Sequence, residues 1–188
     1  PNAELLISGT TTLETMYGLF GGGRIRRLKT GWGTGFAAVL LNQKRAYCNG
    51  ITFLKHDVPY DDLDNVTLTE ASPVCGWIEV TKNADAFTIT NNKFRGALFN
   101  IFQYGGSRGL IHKNDSDTTE QAFLNVGLAT YYTRPTKNVG NISSLVISMN
   151  RVRNVSNAPI GGVIGDGIKL MANVQNTVII GNDIQHCK

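Results

Sequence analysis

DGIKLMANVQNTVIIGNDI, Asp166 to Ile184, is the stretch on which the fold turns. Laid over GWIEVTKNADAFTITNNKF, Gly76 to Phe94, it aligns without a gap. Ile78 falls on Ile168, Val80 on Leu170, Asn83 on Asn173, Ile89 on Ile179, Asn92 on Asn182 and Phe94 on Ile184. A third window, GFAAVLLNQKRAYCNGITF from Gly35 to Phe53, enters the same frame, with Val39, Asn42 and Phe53 on Val80, Asn83 and Phe94. A shorter fourth, LVISMNRVRN from Leu145 to Asn154, repeats the run after Thr177, with Val146, Ile147 and Asn150 on Val178, Ile179 and Asn182.

The shared unit is an apolar pair at spacing two, an Asn three residues on, a second apolar pair at spacing two, and a second Asn. A spacing of two places both apolar side chains on one face of a strand. The Asn then marks a corner, since Asn tolerates left-handed backbone and hydrogen-bonds locally. Copies stacked on one another would line the inside with apolar ladders and let the Asn side chains bond to one another along a corner. Thr67, Thr69, Thr88 and Thr90 alternate with Val66, Leu68, Phe87 and Ile89, a β-branched pattern that argues against helix. NDSDTTEQAFLNVGLA, Asn114 to Ala129, is the one expected helix, with Ser116 or Asp117 as its cap and Glu120 near its third position.

Composition agrees with a turn-rich chain. Of 188 residues 41% are apolar and only 17% charged, and 21 are Gly. One domain over 1–188 is expected, continuing into a longer chain, because a stack that stops on TVIIGNDIQHCK exposes apolar side chains and unpaired backbone. No apolar run reaches the roughly 20 residues needed to span a bilayer, so no membrane insertion is expected. The net charge is +4, and the basic cluster Arg24, Arg26, Arg27 and Lys29 lacks interleaved aromatics, so no nucleic-acid partner is expected. Cys48, Cys75 and Cys187 show neither a disulfide framework nor metal-ligand spacing, and the frame puts Cys48 at an inward position. His56, His112 and His186 form no ligand pair, so neither a metal nor another cofactor is called for.

GITF at Gly50 to Phe53, GDGIKL at Gly165 to Leu170, and the twice-seen VI-x-x-N-x-[VI] resemble coils of the right-handed parallel β-helix proteins, the pectate-lyase-like superfold that includes bacteriophage tailspikes. The resemblance implies an all-β fold, a right-handed parallel β-helix (β-solenoid) of single-stranded coils with long inserted loops. It also implies a homotrimer, an extracellular place on the virion tail, and a bacterial surface polysaccharide, capsule or O-antigen, as partner. Within it, Asp166 reads as a turn residue at the start of a strand.

Two insertions are expected to leave the repeat at the same point, one within 54–75 and one within 105–138, and so to stack as walls beside a groove. The first carries His56, Tyr60, Asp61 and Asp64; the second carries Arg108, His112, Asp115, Asp117, Glu120, Tyr131, Tyr132 and Arg134, with Tyr104 just before it. Aromatic rings suit sugar C–H faces, and Arg and carboxylates suit hydroxyls. Glycoside hydrolysis requires two opposed carboxyl groups, one protonated and one ionised. The expected catalytic pair is Asp61 or Asp64 from one wall and Asp115, Asp117 or Glu120 from the other. The expected substrate-binding residues are His56, Tyr60, Tyr104, Arg108, His112, Tyr131, Tyr132 and Arg134. An endo-acting glycoside hydrolase stands ahead of a polysaccharide lyase. The alternative is a carbohydrate-binding or structural module of a phage fibre or adhesin that performs no chemistry.

Overall fold

The structure, a computed structural model, describes residues 3–8, 13–15, 17–28, 36–58, 63, 75–127, 141–155, 165–171 and 174–187, leaving aside the side chains of 13–15, 36, 75, 120 and 121. The described residues form an all-β structure in which every paired strand runs parallel to its neighbour. The chain passes through three strips in fixed order and then begins again, an arrangement compatible with a β-solenoid.

In the first strip lie Leu13–Thr15, Phe36–Leu41, Cys75–Val80, the second halves of Lys93–Gln103 and Asp115–Val126, and Asp166–Leu170. The second holds Gly18–Phe20, Tyr47–Asn49, Thr88–Thr90, Leu110–His112, Val146–Ser148 and Val178–Ile180. The third holds Glu4–Ile7, Arg24–Arg27, Thr52–Lys55, the first halves of the same two long strands, Arg151–Arg153 and Asp183–Gln185.

The core is made of ladders one residue wide. Val39, Ile78, Ile101 and Leu124 register in the first strip, and Cys48, Ile89, Ile111 and Ile147 in the second, all fully buried. In the third, Phe53 stacks on Phe94 with ring centroids 5.1 Å apart. Burying each such side chain contributes roughly 1.5 to 3 kcal/mol, and the ladder spreads that gain over every circuit. Burial also pushes the Cys48 thiol up to about 12, so it serves as a small apolar residue.

The repeat read from the sequence is the register of the sheets. Ile78 and Ile168 share one ladder, Ile89 and Ile179 a second, Phe94 and Ile184 a third. The third window needs a correction in its first strand: Ala37 pairs with Gly76 and Val39 with Ile78, two residues from the ungapped alignment, while Cys48 pairs with Ile89 as aligned. A slip of two keeps every side chain on its face, which is why the apolar pattern concealed it.

The Asn corner forms as expected. Asn92 Nδ2 donates to Asn114 Oδ1 at 3.0 Å, Asn114 Nδ2 to Asn150 Oδ1 at 2.9 Å, and Asn150 Nδ2 to Asn182 Oδ1 at 2.9 Å. Each Nδ2 also reaches a strand carbonyl, of Cys48, Ile89 and Ile111 in turn. The left-handed backbone, however, falls on the residue before each ladder position: Gly50, Asn91, Lys113, Met149 and Gly181, with φ between 54° and 76°. Arg45, Ala86, Arg108, Ser144 and Asn176 repeat the device just before the second strip, and Gly96, Thr118, Asn154 and His186 just after the third. At these corners the described chain is bent by single left-handed residues.

Within the span expected as a helix, 114–129, the described residues 114–127 form no helix. Asp115–Val126 is a strand that pairs with Lys93–Gln103 on one side and with Arg151–Arg153 and Asp166–Leu170 on the other. The expected caps have other partners: Ser116 Oγ bonds with Thr119 Oγ1 at 2.9 Å inside the core, and Asp117 Oδ2 lies 3.1 Å from Arg153 Nη2. The β-branched Thr119 then favours extended backbone, while Thr118 is the left-handed residue at the bend. The described part of what was expected as one long wall thus holds two strands of different strips, Leu110–His112 and Asp115–Val126. The remaining insertions do not share a corner, since 59–74 joins the third strip to the first, whereas 128–140 precedes Ile142–Ser143 and the second strip.

Candidate functional site

The outer face of the third strip is built of charge. Its register sets Arg24, Thr52, Lys93, Asp115 and Arg151 in one column and Arg26, Leu54, Arg95, Asp117 and Arg153 in the next. Asp115 receives Arg95 Nη2 at 3.1 Å and Arg151 Nη2 at 2.9 Å, and Arg153 Nη2 lies 3.1 Å from Asp117. Asn154 Nδ2 and Thr118 Oγ1 both donate to Asp117 Oδ1. Burial alone would raise the Asp115 carboxyl, but hydrogen bonds from Arg151 and Arg95, with their charges, outweigh it and hold the group below the usual range.

At the opposite end of this face the chain after Lys55 folds back over the strip. Arg26 Nη1 donates to the carbonyls of Val58 at 2.7 Å and Lys55 at 3.2 Å, while its Nε reaches Glu4 Oε1 at 2.6 Å. Leu54, Val58 and Leu63 close an apolar cluster beside them. His56 is half-buried at the start of this segment, and its carbonyl takes a longer bond from Arg26.

The second strip presents its outer face to solvent. One column is Phe20, Asn49, Thr90, His112, Ser148 and Ile180, the other Gly18, Tyr47, Thr88, Leu110, Val146 and Val178. Phe20 is 71% exposed and its ring lies 6.2 Å from that of Tyr47. Thr90 Oγ1 and Asn91 Nδ2 both donate to Asn49 Oδ1, and His112 Nδ1 pairs with Ser148 Oγ at 2.9 Å.

Where the first strip turns into the second, a cleft of ≈ 530 Å³ opens, lined by Tyr17, Gln43, Lys44, Lys82, Asn83 and Asp85. Asn83 Nδ2 at 3.0 Å and Thr81 Oγ1 at 2.6 Å both donate to Asn42 Oδ1, which ties two successive corners together. Arg45 N donates to Asp85 O and Tyr47 N to Tyr17 O, so the rim is fixed by backbone bonds. Arg108 grips Asp85 with both arms of its guanidinium, Nε on Oδ1 at 3.0 Å and Nη2 on Oδ2. That hydrogen bond, then the Arg108 charge and that of Lys44, holds the Asp85 carboxyl below the usual range.

The expected site residues therefore separate. Asp115 and Asp117 stand on the outer face of the third strip, and Glu120 lies within the same strand, its side chain outside the described set. His112 is on the second strip, Arg108 beside the cleft, and Tyr104 stacks at 5.9 Å on Phe102. Asp61, Asp64, Tyr60, Tyr131, Tyr132 and Arg134 lie outside the described residues. Sequence reading missed Tyr17, Lys44, Lys82 and Asp85. The signal available was the Asn42 and Asn83 match, which stacks Gln43–Lys44 and Lys82–Asp85 at one corner. No protein-family model, curated protein or solved structure matches the chain.

Proposed function

We propose that the chain is a tailspike-like, right-handed parallel β-helix that binds an elongated bacterial surface polysaccharide along its side. The observation that carries the reading is the open cleft at the first corner, with the exposed Tyr17 ring at its rim and Phe20 and Tyr47 on the adjoining strand face. Flat rings set beside amides and charged groups match a sugar, which offers apolar C–H faces edged by hydroxyls. The circuits follow one another at about 4.8 Å, so a polymer lying along the stack would meet several of them where a single sugar would meet one.

The described carboxylates Asp115, Asp117 and Asp85 favour holding over cutting. A glycosidase needs one carboxyl kept protonated near neutral pH. Asp115 is shifted the opposite way, Asp117 lies within reach of Arg153, and Asp85 is clasped by Arg108. The test is incubation with purified capsule and O-antigen polysaccharides, reading retention and chain length together. Retention without shortening, weakened at least severalfold by Tyr17→Ala, is the expected result. Shortening that survives Asp115→Asn and Asp117→Asn would move the proposal to an enzyme using other carboxylates, and no retention of any polymer would overturn it. A homotrimer belongs to the same proposal, and the mass in solution tests it.

A further inference from the structure

Resting on that reading, we infer that the polymer carries acidic units, and that Lys44 and Lys82 bind its carboxylate or other anionic groups in the first-corner cleft. Both lysines are exposed, both line the cleft, and among the described residues neither makes an ion pair within 4 Å. They belong to successive circuits, since Leu41 pairs with Val80 just before the two corners. Arg45, also exposed, adds a third cation at the same corner. Among the described residues that line the cleft the carboxylate is Asp85, and Arg108 already neutralises it. A cleft with two unpaired ammonium groups and a neutralised acid carries a net positive charge that a neutral sugar would leave uncompensated.

The floor of the cleft is fixed in place. The Asn83, Thr81 and Asn42 bonds, and the Arg45 N to Asp85 O bond, hold adjacent corners together, so ligand anions are met by cations on a rigid base. Tyr17 and the amide of Gln43 supply the flat face and the hydrogen-bonding edge that a pyranose ring needs beside its acid group. Aromatic, amide and two ammonium groups in one cleft fit an acidic sugar better than a phosphodiester backbone, for which a longer basic track would be expected.

The experiment is an array of purified bacterial polysaccharides sorted into acidic and neutral repeats, with polygalacturonic acid, its carboxyl-reduced form, and a DNA oligonucleotide as controls. It is read at two salt concentrations with the full chain and with Lys44→Gln/Lys82→Gln. The expected result is binding of acidic polymers alone, falling with salt, and about tenfold weaker in the double variant with an unchanged circular dichroism spectrum. Equal binding of neutral polymers, unaffected by the two substitutions, would overturn the inference and leave polysaccharide recognition standing. Equal binding of DNA would overturn it as an unselective polyanion surface. Silence across the whole array would overturn both.

Discussion

Asn114 shows how much one side chain does here. Its Oδ1 accepts from the Asn92 side chain and backbone, and its Nδ2 donates to Asn150 Oδ1 and to the Ile89 carbonyl, all in a site 1% exposed. Asn114→Ala removes four bonds and leaves buried partners unsatisfied, so it should cost about 3 kcal/mol, read as a lower urea midpoint at unchanged slope. The residue before a ladder Asn has the opposite margin. Met149 is left-handed at φ 55° and 56% exposed, where the next circuit uses Gly181. Relief of left-handed strain, about 1 to 2 kcal/mol, exceeds the entropic cost of Gly, about 0.5 to 1 kcal/mol, so Met149→Gly should stabilise the protein, raising the same midpoint. Cys48, with no exposed surface and a thiol at about 12, should resist a thiol reagent until unfolding, whereas the exposed Cys187 reacts in the native state; peptide mass mapping separates the two.

The strand Asp115–Val126 carries both what the sequence told and what it hid. The inward ladders were legible because spacing-two apolar pairs survive in every circuit, as Ile78 and Ile168 or Ile89 and Ile179 show. Between Phe94 and Ile184 the corresponding ladder position is Ser116, whose buried bonds to Asn100 and Thr119 replace an apolar contact, so the hydrophobic pattern fails there and a capped helix took its place. The site was less legible still, since ion pairs such as Asp115 with Arg95, Arg151 and Arg153 join positions 20 to 38 residues apart that only the register brings together. That element makes a pH prediction. The Asp115 carboxyl is lower in the folded chain than in the unfolded one, so its contribution is complete above the unfolded value, about 4, and is lost as pH falls through the folded value. Asp115→Asn should therefore lower stability at pH 7 while the two proteins converge as the pH falls below about 4; urea curves that stay parallel throughout the acid range would refute the assignment.

At the scale of the molecule, repetition buries the described inward ladders until a ladder runs out of neighbours. Ile147 and Val152 are fully buried, yet their ladder successors Ile179 and Ile184 are 48% and 42% exposed, with Val178 at 52% and Ile180 at 59% beside them. Among the described residues no strand pairs beyond Val178–Ile180 or Asp183–Gln185, so unpaired backbone groups and apolar side chains coincide on one surface. Parallel edges of this kind recruit another strand unless charge keeps it away. The chain studied alone should therefore associate with rising concentration through this end. Val178→Lys with Ile180→Lys alters only the outward side chains of the last second-strip strand and leaves the inward Ile179 in place, so the fold should persist while sedimentation velocity shifts towards the single chain. A trimer built side by side through the first or third strip would ignore those lysines, because they lie on the outer face of the second. An assembly that keeps its mass in the double variant would thus refute end-to-end association and direct attention to the flanks, where the cleft lies.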